Sequence, residues 1–202
     1  MIDTVIFDVG NVLTRFGWQD FIRSFGYDED ICVRVGNATI ESPYWKEYDR
    51  GVMSNDEIVN SFVSLDKGVE KEIRETMRDF KGILTPADYA IPWIKALKER
   101  GLQVLFLSNF SERTYEECRD ALGFLDYVDG GIFSYRVKLI KPDPAIYKCI
   151  ADTYALVPDR CVFVDDLLEN VKAAEDYGFH TVLFKDYKTA SLTLDRLLNI
   201  TE

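Results

Sequence analysis

An aspartate closes the first apolar run of the chain: Thr4-Val5-Ile6-Phe7 leads into Asp8, and Val9-Gly10-Asn11-Val12-Leu13 follows. A carboxylate in that position can act as a nucleophile if other segments offset its charge and hold its target. Three later segments have the residue types for this: Leu107-Ser108-Asn109, Lys141-Pro142-Asp143-Pro144 and Val164-Asp165-Asp166. The chemistry they suit is phosphoryl transfer. A magnesium ion held by Asp8 and the Asp165-Asp166 pair would offset the negative charge of carboxylate and phosphate, since Mg²⁺ takes few carboxylates plus waters and substrate oxygens. Lys141 would add a fixed positive charge. The Ser108 hydroxyl, with Asn109 and the backbone N–H groups beside it, would bind the equatorial oxygens of the phosphoryl group. Taken singly, each segment is ordinary. Strand-ending aspartates and Ser-Asn pairs are common in turns, Lys-Pro-Asp-Pro is a helix-start signal, and adjacent aspartates usually face solvent. Four of them in order, three directly at the ends of apolar runs, are much harder to assign to chance.

Those runs are the elements that must position the chemistry. Thr4–Phe7, Val104–Leu107, Gly131–Phe133, Val162–Val164 and Thr181–Phe184 are short and mostly rich in Val, Ile and Phe, which predicts buried strands. Helical segments separate the last four. Asp143 followed by Pro144 predicts an N-cap with proline in the first helical position, opening Ala145–Tyr154. Thr114-Tyr115-Glu116-Glu117 fits a capping box with Gly123 as a stop, and Leu168–Tyr177 ends at Gly178. Strand–helix alternation implies a parallel sheet covered on both faces, and ligands of such sheets bind beyond the carboxyl ends of the strands.

From Gly17 to Thr85 no strand is predicted. Trp18, Phe21, Ile22 and Phe25 have helical spacing, as do Val69, Ile73 and Phe80 with Met77 between them, and Ser54-Asn55-Asp56-Glu57 matches a capping box. The expected organisation is an α/β core of residues 1–16 and 86–202, with a small all-helical unit, residues 17–85, inserted after the first strand and packed over the sheet edge.

The formal net charge of −11 over 202 residues gives nucleic acid and anionic membrane no basic patch to engage. An anionic substrate therefore depends on local positive charge. The chain has no run of ~18 apolar residues that would cross a membrane and no signal-like start. Its four cysteines, Cys32, Cys118, Cys149 and Cys161, form no CxxC pair, which reads as reduced thiols in a cytoplasmic protein.

The four segments resemble the motifs of the haloacid dehalogenase superfamily, over nearly the whole chain. The resemblance implies a three-layer α/β/α Rossmann-like core with a C1-type helical cap, and a hydrolase in which Asp8 is the nucleophile and forms an aspartyl-phosphate. It implies phosphoryl binding by Ser108 and Lys141. It also implies Mg²⁺ held by the Asp8 side chain, the Gly10 carbonyl and the acidic pair, with Asp166 a direct ligand and Asp165 direct or through water. Metal-free dehalogenases of the superfamily usually carry small polar residues in place of Asp165 and Asp166 and tyrosine in place of Gly10, so a phosphatase of a small phosphorylated metabolite is favoured over a dehalogenase.

One departure bears on mechanism. Family phosphatases usually place a second aspartate two residues after the nucleophile, as general acid and then base; here that residue is Gly10. Asp8-Val9-Gly10-Asn11-Val12 is similar instead to the subgroup containing bacterial α-D-glucose-1-phosphate phosphatases. Anomeric and acyl phosphates have leaving groups that need less protonation, which makes a sugar 1-phosphate one candidate among small phosphorylated metabolites. The remaining alternative is a catalytically weak member that binds a phosphorylated ligand or a protein. Asn11 is a candidate to orient water or phosphate, or else a left-handed loop residue. Arg136 and Lys138 stand where the family often has Glu and Gly, and are candidates for a second anion contact. Arg15, Trp18, Tyr44, Trp45 and Tyr48 are candidates to face substrate, and His180 is expected to be structural.

Overall fold

The computed structural model describes residues 1–200. Five strands form one parallel sheet: β1 (Thr4–Phe7), β4 (Gln103–Ser108), β5 (Gly130–Phe133), β6 (Cys161–Asp165) and β7 (His180–Leu183), in the order β5-β4-β1-β6-β7. All five predicted strands are present, although β7 stops one residue before Phe184. A second, two-stranded antiparallel sheet joins β2 (Thr14–Phe16) to β3 (Leu84–Pro86). Neither strand was expected, because three residues are too few to show a period of two.

The alternation of side chains along the strands explains the layers. Val5, Phe7, Val104, Phe106, Val162 and Val164 point to one face, where Trp93, Ile94 and Leu97 of α6 (Ala90–Glu99) and Leu194 of α11 (Tyr187–Ile200) complete the core. Ile6, Leu105, Leu107 and Phe163 point to the other, against Ile146, Tyr147 and Ile150 of α9 (Pro144–Tyr154) and Ala174 of α10 (Leu168–Tyr177). Burial on both faces is why these strands read as continuous apolar runs. The result is a three-layer α/β/α, Rossmann-like core.

Between β2 and β3 lie α1 (Trp18–Arg23), α2 (Glu29–Ala38), α3 (Pro43–Arg50), α4 (Asn55–Leu65) and α5 (Glu70–Thr76). Ser54 caps α4 through the expected capping box. Val69, Met77 and Phe80 are buried although only Ile73 of that predicted stripe lies within α5. The apolar contacts of these helices run without a break into the Val5/Phe7 face of the sheet. Arg113, on α7 (Glu112–Glu117), also ties the end of the segment down by donating to the carbonyls of Met77 and Arg78.

Two helix signals were misplaced. α7 begins at Glu112 with Ser111, not Thr114, as its N-cap: the Ser111 Oγ accepts from the Thr114 N–H. Gly123 opens a short 3₁₀ turn, Gly123–Asp126, rather than closing a helix. Asp143 does cap α9, accepting from the Ala145 N–H, and Gly178 ends α10 in a left-handed conformation. The last short helix, α8, spans Ser134–Val137. All four cysteines are unpaired. No helix among the described residues is long and apolar enough to cross a membrane.

Candidate active site

Strand register decides what meets at the sheet edge. Phe7 pairs with Phe106 on one side and Val164 on the other, so the residues just beyond β1, β4 and β6 emerge side by side. The Asp8 N–H still bonds the Val164 carbonyl at 2.8 Å, which holds Asp8 as a continuation of its strand. Asp8, Asp165 and Asp166 each offer an oxygen within 4.8 Å of the others.

Lys141 comes from the turn before α9 and completes the centre. Its Nζ donates to Asp8 Oδ1 at 2.7 Å and to Asp165 Oδ2 at 2.6 Å, with its own side chain 1% exposed. Asn109 explains how a turn residue is held there. Its Nδ2 donates to the Lys141 carbonyl at 2.9 Å and its Oδ1 accepts from the Lys141 N–H at 2.8 Å. Asn109 also lines the cleft, so its side chain clamps the lysine backbone at the place where it is expected to meet phosphate. Ser108 is buried at the end of β4 and lines the same cleft.

The two members of the acidic pair have different surroundings. Asp165 is fully buried. Besides Lys141 it accepts from the Leu167 N–H at 2.8 Å and from Asn170 Nδ2 at 3.1 Å. Asp166 is partly exposed to the cleft, and Asn11 Nδ2 donates to it at 3.0 Å. Asn11 is itself left-handed, with φ 57°, and its Oδ1 accepts from the Phe16 N–H. The left-handed backbone expected of Asn11 is present, and its side chain engages Asp166 and the Phe16 N–H.

Electrostatics follow from burial. Loss of water pushes the Asp8 carboxyl up to about 7, with Lys141 opposing and Asp165 and Asp166 adding to the rise. Burial likewise raises Asp166, against the bond from Asn11. Burial alone would lower Lys141, but Asp165 and Asp8 outweigh it and keep the ammonium charged. Three carboxylates thus share one lysine, an all-oxygen donor set of the kind that suits a hard divalent cation. Asn170 Oδ1, buried beside Asp165, has no hydrogen-bond partner. It could accept from a metal-held water, so the residues fit a magnesium site.

The centre opens into a cleft of about 350 Å³ lined from the other side by the helical segment. Its walls include Phe16, Ile40, Trp45, Leu84 and Phe110; Lys46 and Asp49 join Trp45 along one face of α3, with Ser42 just before the helix. Of the aromatic candidates, Trp45 lines the cleft. Trp18, Tyr44, Tyr48 and Arg15 are not among its lining residues; Arg15 pairs with Asp20 at 2.6 Å and Trp18 packs on Gly36. Arg136 and Lys138 also lie outside. Arg136 stacks over Tyr115 and donates to the Tyr135 hydroxyl, and the Lys138 ammonium bonds the Gly51 carbonyl. His180 is exposed and bonds the Asp159 carbonyl at 3.0 Å. Asp49 was missed. Its spacing of four residues from Trp45 puts both on one helix face, but the spacing alone does not say that this face meets the cleft.

A family model described as haloacid dehalogenase-like hydrolase matches residues 2–178. The chain belongs to this family. It is 26% identical over 193 residues to the sesquiterpene phosphatase astK of Aspergillus oryzae, covering 96% of this chain and 95% of that protein. It is also 26% identical over 202 residues to the drimenol cyclase drtB of Aspergillus calidoustus, a longer protein of which the match spans 36%. Among solved structures it shares its fold with the HAD family enzyme bt-2542 of Bacteroides thetaiotaomicron in complex with magnesium and inorganic phosphate, with a TM-score of 0.69 at 20% identity, covering 94% of this chain and 98% of that one.

Proposed function

We propose that this HAD-family hydrolase is a magnesium-dependent phosphatase of a small organic phosphate ester, with Asp8 as the nucleophile. The observation that carries the reading is the Lys141 ammonium bridging Asp8 and Asp165 at the mouths of adjacent strands, with Asp166 beside them. Asp8, the Gly10 carbonyl and Asp166 would hold the ion; Asp165, whose oxygens already accept from Lys141, Leu167 and Asn170, orients the lysine. The ion, when bound, offsets the charge of the phosphate as the carboxylate approaches it. Lys141 and the Ser108 hydroxyl bind the equatorial oxygens, and the Asn109 clamp keeps Lys141 in place. Asp8 attacks phosphorus, the alcohol leaves, and water then hydrolyses the aspartyl-phosphate.

In this reading residues 17–85 act as a cap of the C1 type over a core of residues 1–16 and 86–202. The cleft between them selects the alcohol. A sugar 1-phosphate remains one candidate, from Gly10 and the first-loop resemblance to α-D-glucose-1-phosphate phosphatases. The walls favour a second reading. Phe16, Ile40, Trp45, Leu84 and Phe110 offer carbon rather than hydrogen bonds, which suits an apolar alcohol such as the terpenoid implied by the name of astK.

The test is phosphate release from a panel holding glucose 1-phosphate and farnesyl monophosphate, with Mg²⁺ or with EDTA, and with Asp8→Asn as the blank. Asp8→Asn is expected to lower turnover on the order of 10⁴-fold or more, and chelation to abolish it. Release that survives Asp8→Asn overturns the nucleophile, and chloride release from a 2-haloacid without metal overturns the phosphatase.

A further inference from the structure

Expelling an alkoxide from phosphorus requires a proton for the leaving oxygen, and Gly10 has no side chain to give it. Packing does not force the glycine. A Cβ there would meet nothing within 4 Å, and its φ is not among the positive ones. The donor must then come from another residue around the cleft.

Few titratable side chains line it. Asp8 is the nucleophile, Asp166 is assigned to the ion, and Lys141 is bound between Asp8 and Asp165. Lys46 and Glu169 pair with each other at 3.2 Å, both more than half exposed, and Glu41 is exposed. Asp49 remains. It sits in the last turn of α3, on the side of the cleft facing the strand ends. Its backbone is anchored to the core: the Ser134 Oγ donates to the Asp49 carbonyl at 2.6 Å, and the Lys138 ammonium holds the Gly51 carbonyl two residues on. The Ser111 backbone N–H faces its carboxylate, and both Asp8 and Lys141 act on its charge. Its immediate neighbourhood is thus set by the core as well as by the helical segment.

We infer that Asp49 is the general acid and base of the reaction, supplied across the cleft in place of a carboxylate at position 10. Burial first, then the negative charge of Asp8, push its carboxyl up to about 8, so it holds a proton at neutral pH. As the Asp8 oxygen bonds to phosphorus, the bond from phosphorus to the ester oxygen breaks. That oxygen keeps the electron pair and takes the Asp49 proton, leaving as the alcohol. The Asp49 carboxylate then removes a proton from the water that attacks the phosphorus of the aspartyl-phosphate. The bond to Asp8 breaks, inorganic phosphate leaves, and Asp49 is protonated again.

The inference rests on the phosphatase reading, and the experiment separates the two. Turnover of p-nitrophenyl phosphate, whose leaving group needs little protonation, is compared with that of glycerol 2-phosphate, whose leaving group needs a proton. Wild type, Asp49→Asn and Asp49→Glu are assayed in Mg²⁺. Asp49→Asn is expected to lose ~10²–10⁴-fold in kcat/KM, which reports the steps through expulsion of the alcohol, on the alkyl ester and less than ~10-fold on the aryl ester, with Asp49→Glu restoring much of the difference; kcat falls on both esters, because both pass through the aspartyl-phosphate. The aryl-ester kcat/KM of the variant, with its urea unfolding midpoint, serves as its folding control. Equal losses in kcat/KM on both esters, or no loss on the alkyl ester, overturn the role of Asp49 while leaving the phosphatase standing. A wild type inert on both esters, and on the panel above, overturns the phosphatase reading and this one with it.

Discussion

The two walls of the cleft are built by different means. On the sheet side Asp8, Ser108, Lys141 and Asp165 are buried, and Lys141 bonds directly to both carboxylates. On the helical side the cleft meets partly exposed residues such as Ile40, Trp45 and Asp49, set by helix packing and by anchors such as Ser134. The sheet wall has little freedom. Removing Lys141 leaves two buried carboxylates without their shared cation, so the composition of this wall is tightly constrained. The helical wall can change residues without stranding a charge, which in the proposed reading makes it the place where the alcohol is chosen.

The sharpest way to break that contrast is Lys141→Met, which keeps the side chain's bulk and removes the cation between Asp8 and Asp165. Removing one partner of a buried ion pair costs about 3–5 kcal/mol. Urea unfolding should show a loss of that size, together with loss of turnover. A variant as stable as wild type would mean that the sheet wall tolerates change as freely as the helical one.

Asp49 tests the contrast from the other side, as the one carboxylate of the helical wall pressed toward the neutral form. Its pKa is raised from 3.8 to about 8, chiefly by burial. A raised acid contributes stability that is fully present below its unfolded pKa and is lost as pH rises through the folded value. Wild type should therefore lose stability between about pH 4 and pH 8 that Asp49→Asn retains. In EDTA, the melting temperature of the variant relative to wild type should rise over that window by at least about 2 °C. A flat difference would mean that Asp49 is as well solvated as an ordinary surface acid.

This division also explains what could be read from the sequence. Asp8, Ser108 and Asp165 were legible because a strand end is both an apolar pattern and an address: the run Thr4–Phe7 says where Asp8 must emerge. Lys141 was legible through Asp143 and Pro144, which fix the helix start behind it. The Asn109 clamp was not legible, since a bond to the backbone of a residue 32 positions away leaves no spacing to detect. Nor was Asp49. Helical periodicity shows which side of α3 is apolar, but not that the polar residues Ser42, Lys46 and Asp49 share Trp45's view of the cleft. The β2–β3 pair escaped because each strand is three residues long, and the start of α7 because Thr114 and Ser111 both present cap-like hydroxyls, of which only Ser111 stands before the helix.

If the helical wall selects the alcohol, changing its polarity should alter KM while leaving the chemical step nearly intact. Ile40 is half-buried and lines the cleft. Ile40→Ser should raise KM for farnesyl monophosphate by roughly tenfold, the equivalent of losing part of an aliphatic contact worth about 1.5–3 kcal/mol when fully buried. The KM for glucose 1-phosphate should change much less. Equal changes for both substrates would place the selecting surface elsewhere.

The smallest effect is expected where the two walls meet in water. Lys46 of α3 and Glu169 of α10 form an ion pair across the cleft, at 3.2 Å, with side chains 55% and 53% exposed. An ion pair at that position looks like a latch, but water and salt screen it, and ordering two long side chains opposes it. The helical segment has a stronger attachment in the apolar contacts that run from Phe21, Phe62 and Phe80 into the Val5/Phe7 face of the sheet. Lys46→Ala should therefore change unfolding stability by less than about 1 kcal/mol. It should also leave the salt dependence of KM for an uncharged alcohol's phosphate ester close to that of wild type. A large gain in KM that disappears in high salt would show the latch to be real, and would move part of the control of the cleft from packing to charge.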